Sequence, residues 1–214
     1  MPGTPHQKPL TSSATHALLL AAGSGTRFGG RKLLAPWRGG TILEASLATA
    51  LNAPVAGVTL VSGHDRDEIE RVARDVARRH EAGRKLAIVH AADHRDGFSA
   101  SLKAGVAALP ASAEAVFVFL GDMPKIPPHV PALLMQGMAD PGLVAALPLH
   151  DDLPGHPVLI RRELFPEIMA LSGDVGAKPV LARYTARTVF CPVDDRGVLI
   201  DIDRPEDIAE LRDV

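Results

Sequence analysis

The chain has 214 residues, of which 46% are hydrophobic and 22% charged. That is enough for one continuous core and too apolar for a disordered chain. Twenty-three basic residues against 25 acidic ones leave a formal net charge of -2, which argues against a general nucleic-acid binder, whose surface is normally basic. A single cysteine, Cys191, excludes an intrachain disulfide and a thiolate zinc cluster and fits a reducing cytoplasm.

Residues 1–15 are polar and rich in Pro, Thr and Ser, which predicts a flexible tail without a signal-peptide or transit pattern. Residues 16–214 form the predicted single domain. Ala17–Ala22 reads as a buried strand ending in glycines. Thr41–Leu51 reads as a helix, with a capping box from Thr41 and Glu44 and an apolar face of Leu43, Leu47 and Leu51. Val55–Val61 is the next strand. A second capping box, Asp65 with Glu68, opens a helix whose inner face is Ile69, Val72, Ala73, Val76 and Ala77. Glu70 with Arg74 and Asp75 with Arg79 have i,i+4 spacing on its outside.

Leu86–Val89 is a third strand, and a helix over residues 99–109 follows, with Ser99 as its N-cap. Ala115–Leu120 is apolar at every position, as a strand covered on both faces should be. A helix is predicted from Pro127–Pro128. Then come strands at Leu143–Leu147 and Pro157–Ile160, helices over 161–171 and 176–183, and strands at Thr188–Cys191 and Val198–Ile202. A last helix starts at Pro205. No run approaches the ~20 apolar residues of a membrane span. Repeated strand–helix units imply an α/β, Rossmann-like, mostly parallel sheet with helices on both faces. Ligands of such sheets sit beyond the carboxyl ends of the strands.

The loop after the first strand, Gly23-Ser24-Gly25-Thr26-Arg27-Phe28-Gly29-Gly30-Arg31-Lys32, is built to crowd backbone N–H groups around phosphate oxygens. Arg27 and Lys32 supply balancing charge. It is neither a dinucleotide fingerprint, which needs glycine where Phe28 stands, nor a Walker A loop, which needs lysine where Arg31 stands. Gly121-Asp122-Met123-Pro124 puts Asp122 at a strand's carboxyl end, where a magnesium ligand belongs, and Asp203 offers a second carboxylate. Glu206 and Asp207 read as favourable charges in a first helical turn. Gly97 and Ser101 are candidate base or ribose contacts. His156, between Gly155 and Pro157, reads equally well as structural or functional. His90 and His94 have i,i+4 spacing but sit beside a strand end and make no metal motif. Cys191 reads as a small core residue.

Five segments together resemble a known family. They are Ala21-Ala22-Gly23-x-Gly25-x-Arg27-Phe28-Gly29 with Lys32, Gly121-Asp122-Met123-Pro124, Pro154-Gly155-His156-Pro157, Gly173-Asp174-x-Gly176-Ala177 and Asp201-Ile202-Asp203-x-Pro205-Glu206-Asp207. In order and spacing they are similar to the molybdenum cofactor cytidylyltransferases of the MobA-like nucleotidyltransferases. The resemblance implies the nucleotide-diphospho-sugar transferase type of fold and transfer of CMP from CTP to the terminal phosphate of a molybdopterin-type acceptor, with Mg²⁺. It implies a nucleotide site at Ala21, Ala22, Gly23, Ser24, Gly25, Arg27, Lys32, Gly97 and Ser101, with Arg27, Lys32 and Asp122 catalytic. Asp122 and Asp203 would hold the metal, and His156 and Asp174 the acceptor.

Ala22, where guanosine-using relatives have glycine, implies CTP over GTP. A molybdoenzyme client or its chaperone is the implied downstream partner. Arg204 departs from the family's usual threonine. It cannot accept the N-cap hydrogen bond, a loss of about 1 kcal/mol at that helix start. Three other readings remain open: a methylerythritol- or sugar-phosphate acceptor, a non-catalytic cofactor carrier, and a dinucleotide-dependent oxidoreductase.

Overall fold

A computed structural model describes residues 9–212. In chain order the strands and helices are β1 (Thr15–Ala21), β2 (Pro36–Trp37), β3 (Gly40–Thr41), α1 (Ile42–Asn52), β4 (Gly57–Ser62), α2 (Arg66–Arg79), β5 (Leu86–His90), α3 (Phe98–Ala107), β6 (Ala115–Leu120), α4 (Val130–Gly137), β7 (Ala145–His150), β8 (Leu153–Pro154), β9 (Val158–Arg161), α5 (Phe165–Met169), α6 (Lys178–Leu181), β10 (Thr188–Pro192) and α7 (Pro205–Arg212). The main sheet runs β10-β7-β9-β6-β1-β4-β5, with β8 paired to β7. Strands β6, β1, β4 and β5 are mutually parallel, and β10 is parallel to β7. Only β9 and the short β8 run antiparallel to their neighbours in this sheet. The expected α/β class and mostly parallel sheet are what the chain forms.

The two-residue period of a strand divides the core in two. Ala17, Leu19 and Ala21 of β1 face a layer that includes Leu43 and Leu47 of α1, Ile69 and Val76 of α2, Leu134 of α4 and Ile208 of α7. Leu18 and Leu20 face Leu102 and Val106 of α3, Phe165 and Ile168 of α5 and Val180 of α6. Among the described residues no helix is long and apolar enough to cross a membrane.

Several local expectations change. Thr15 is already buried in β1 and Ser12–Ala14 form a 3-10 turn, so ordered structure starts before residue 16. Residues 1–8 of the expected tail lie outside the described residues. The Thr41–Glu44 capping box forms. The Asp65–Glu68 box does not: Asp65 takes a left-handed conformation at φ 52°, and Glu68 turns to Arg31. Glu70 does pair with Arg74, at 2.9 Å, but it is buried and also accepts from Ser62 Oγ at 3.0 Å. Arg79 leaves Asp75 for Glu44 of α1, and Asp75 pairs with Arg71 and Arg78.

Ser99 is not the N-cap of α3; Gly97, at φ 107°, takes that place. Helix α4 opens at Val130, with Pro131 rather than Pro127 or Pro128 in its first turn. Arg161 stays in β9, buried, donating from Nε to Leu143 O at 2.8 Å, so α5 begins only after a 3-10 turn. The predicted 176–183 helix shortens to α6 and runs on as 3-10 turns broken at Tyr184. Val198–Ile202 is no strand: Asp195 Oδ1 captures the Gly197 N–H at 2.7 Å and a 3-10 turn forms over Arg196–Leu199.

Candidate active site

Strands β6, β1, β4 and β5 end side by side, with Leu120 opposite Leu20, Ala21 opposite Ser62, and Ser62 opposite His90. Their carboxyl ends therefore deliver Asp122, the 22–32 loop, Gly63-His64 and the 91–97 loop along one edge. The glycine loop folds back on itself. Gly25 stands at φ 59°, and a Cβ there would lie 2.8 Å from Lys32 Cβ, a contact no side chain tolerates. That approach brings the far end of the loop under the sheet edge. No helix follows, only 3-10 turns at Thr26–Phe28 and Lys32–Leu34.

Lys32 Nζ is clamped between two carboxylates, 2.7 Å from Asp122 Oδ2 and 3.1 Å from Asp203 Oδ1. Arg27 reaches the other oxygen of Asp203 at 3.0 Å. Burial works against the Lys32 charge, but Asp122 and Asp203 outweigh it and hold its pKa above the ordinary lysine value. Asp203 is pulled below the ordinary carboxylate value, first by the hydrogen bond from Lys32 and further by Arg27, against a partial burial. Asp201 goes the other way: burial, then the charges of Asp122 and Asp203, raise it.

The two aspartate loops are tied by Ile202 N–H donating to Asp122 O at 3.0 Å. Asp207 has a role its first-turn position did not reveal. Its Oδ2 accepts from the backbone N–H of Asp203 at 2.8 Å and of Arg204 at 2.7 Å. Asp207 thus supplies the half of a capping box that reaches back to the backbone N–H groups before the helix, while its own N–H donates to Arg204 O.

Two adjoining clefts open at this edge of the sheet, and Asp122 of the cluster lines one of them. One, of about 510 Å³, is lined by Ala22, Gly23, Ser24, Gly97, Ser101 and Asp122, with His64, His94 and Arg95 further along. Ala21 is buried at the end of β1 and does not line it, and Arg27 and Lys32 lie on the aspartates beside it. The Ala22 methyl occupies the space over Gly63, where a Cβ would come within 2.6 Å of it.

The other cleft, of about 530 Å³, is walled by Leu102, Val118, Leu147, Val158, Leu181 and Phe190, with His156 and Lys178 as polar groups. Phe98, Leu120 and Asp174 line both. Asp174 does more than face the clefts. Its Oδ1 accepts from Phe98 N–H at 3.1 Å while Gly173 O accepts from Ser99 N–H. A distant loop therefore caps α3 and fixes the wall between the clefts. Burial holds His156 below the ordinary histidine pKa, and its Nδ1 lies 3.5 Å from Val118 O.

Of the sequence-predicted residues, Ala22, Gly23, Ser24, Gly97, Ser101 and Asp122 line the polar cleft, His156 the apolar one and Asp174 both, whereas Ala21, Gly25, Arg27, Lys32 and Asp203 line neither. Sequence reasoning missed His64, His94, Arg95, Asp201 and the apolar walls. Proximity to the ends of β4 and β5 could have flagged the first three. The leucines and valines carry no signal distinguishing cleft from core.

A nucleotide-sized cleft on a glycine loop, bordered by paired aspartates and joined to a second cleft at a parallel sheet's carboxyl edge, defines a nucleotidyltransferase architecture. The chain belongs to the family of the MobA-like NTP transferase domain, whose model matches residues 17–188. It is 28% identical over 202 residues to the molybdenum cofactor cytidylyltransferase of Escherichia coli, covering 94% of this chain and 97% of that one. It is also 28% identical over 201 residues to the nicotine blue oxidoreductase of Paenarthrobacter nicotinovorans, covering 91% of this chain and 94% of that one. Among solved structures, the Mycobacterium sp. strain JC1 homologue of Mycobacterium tuberculosis Rv0371c superposes with a TM-score of 0.78. It is 28% identical, with 94% of this chain and 96% of that one covered.

Proposed function

We propose that the protein transfers CMP from CTP to the terminal phosphate of a molybdopterin-type acceptor and releases pyrophosphate. The observation that carries this reading is the Lys32–Asp122–Asp203 cluster, whose Asp122 lines a polar cleft that adjoins an apolar one. The donor set there suits a hard divalent cation. Two carboxylates already converge on one ammonium, and a third, Asp201, feels their charge as well as the burial that chiefly raises its pKa. Asp122 and Asp203 would hold Mg²⁺, which supplies charge neutralisation for the triphosphate.

The residues of the chain do the rest by position and charge. The backbone N–H groups of residues 23–25 cradle the phosphates. Lys32 and Arg27, whose cationic ends rest on Asp203, balance the charge that builds up during displacement. The attacking group is a phosphate monoester with a second pKa of ~6, mostly ionised at pH 7. It needs no general base, and Asp122 and Asp203 are free to serve as ligands. His156 and Asp174 orient the acceptor in the second cleft. Its leucine and valine walls favour a flat heterocycle over a polyol, whose hydroxyls would lose their hydrogen bonds there.

The test is to incubate the protein with each nucleoside triphosphate, Mg²⁺ and, in turn, molybdopterin, methylerythritol phosphate and a sugar phosphate, and to measure pyrophosphate. Release with CTP and molybdopterin is the expected result. Release with another acceptor alone would overturn the acceptor assignment.

A further inference from the structure

We infer that the loop after β5 reads the base of the bound nucleotide, with His94 distinguishing cytosine from uracil by accepting a hydrogen bond from the exocyclic amine. The inference rests on the reading of the polar cleft as a cytidine nucleotide site. Position is the first argument. Asp122 and the glycine loop fix the phosphate end of the cleft at β6 and β1. The cleft then continues past the ends of β4 and β5, where His64, His94 and Arg95 line it. Three inter-strand steps of ~4.8 Å separate β6 from β5. That is about the reach of an extended nucleoside monophosphate, so the base falls at the β5 end.

Hydrogen-bond chemistry is the second argument. His94 Nδ1 lies 3.0 Å from Ala91 O. A carbonyl only accepts, so Nδ1 carries the proton and Nε2 of the neutral ring is an acceptor. The ring is half-buried and lines the cleft. The neighbouring Arg95 is exposed, has no ion-pair partner among the described residues, and presents donors only. Cytosine presents one donor, its N4 amine, beside the acceptors N3 and O2. Uracil replaces that amine with a carbonyl, which would face the Nε2 lone pair. Arg95 would meet O2, which both pyrimidines share.

Calorimetry without acceptor separates the roles. CTP and UTP are titrated, with Mg²⁺, into the wild type and into His94→Ala, His94→Gln and Arg95→Ala. The wild type should bind CTP at least tenfold more tightly than UTP, about the worth of one hydrogen bond to the base. His94→Ala should bring the ratio near one. His94→Gln, whose amide oxygen still accepts, should keep most of the preference. Arg95→Ala should weaken both nucleotides alike. The ratio is insensitive to the fraction of protein folded. An unchanged ratio in His94→Ala, or no preference in the wild type, overturns the inference while leaving the nucleotide site standing. A wild type that binds neither nucleotide overturns the site and the inference together.

Discussion

The two clefts are nearly equal in volume and opposite in construction. The polar one is made of backbone and charge. Its walls are a glycine loop, a capped helix start and Asp122, which Lys32 holds. The apolar one is made of side-chain shape, with leucines and valines from β6, β7, β9, α3 and α6 around His156. The first can neutralise a triphosphate and offer hydrogen bonds to a base, while the second offers apolar walls and little charge. Function follows from their contact along Phe98, Leu120 and Asp174, not from either cleft alone.

The sharpest way to break this division is at Asp122. Asp122→Ala should lower turnover about a thousandfold, since a metal-holding carboxylate is worth several kcal/mol in the transition state. The melting temperature should stay within a few degrees, because Lys32 keeps Asp203 as a partner when Asp122 is removed. A variant that turns over near-normally, or that unfolds, would contradict the assignment. His156→Ala tests the other side. It should raise the acceptor KM about tenfold and leave CTP affinity by calorimetry unchanged. A loss of CTP affinity with a normal acceptor KM would move His156 into the polar cleft.

A smaller effect is expected from Asp207, which touches neither ligand and acts only through the backbone of Asp203. Asp207→Ala removes an acceptor worth about 1 kcal/mol, so turnover should fall about fivefold and the Mg²⁺ requirement should rise. Asp207→Asn should restore both. A melting temperature that falls with kinetics unmoved would make Asp207 merely a helix cap.

The smallest effect belongs to Asp201. Its carboxyl is held above the ordinary value by burial and by the charges of Asp122 and Asp203. A raised carboxyl pKa favours the fold only while the group is protonated. The penalty is therefore absent near pH 3, grows as pH rises through the shifted value, and is full at neutral pH. Asp201→Asn should melt slightly higher than the wild type at pH 7 and equally at about pH 3. Added Mg²⁺ should close the gap at pH 7. A lower melting point at pH 7 would contradict the burial and like-charge repulsion that hold this carboxyl up.

The two clefts also differ in how much of them was legible. The polar one announced itself because its chemistry demands particular residues in the loops around it: Gly25 where no Cβ fits, Asp122 after an all-apolar strand, and Asp203 just ahead of the last helix. The sheet was legible for a related reason, since β6 reads as an unbroken apolar run and β1 and β4 as largely apolar ones. What stayed hidden depends on contacts between distant segments. Nothing local says that Asp174 caps α3, that Glu44 draws Arg79 away from Asp75, or that Gly197 forms a turn where a strand was expected. The apolar cleft is the extreme case. Leu102, Leu147 and Leu181 follow the same pattern as the core residues beside them, and only the fold leaves a gap between them.

The most direct test of the account follows a single atom across the junction. CTP labelled at the α-phosphorus is incubated with the protein, Mg²⁺ and molybdopterin, and label in the acceptor is counted against pyrophosphate released. The account predicts one labelled nucleotidyl group transferred per pyrophosphate, and loss of both in Asp122→Ala. Release of inorganic phosphate instead, or pyrophosphate without label in the acceptor, would contradict it.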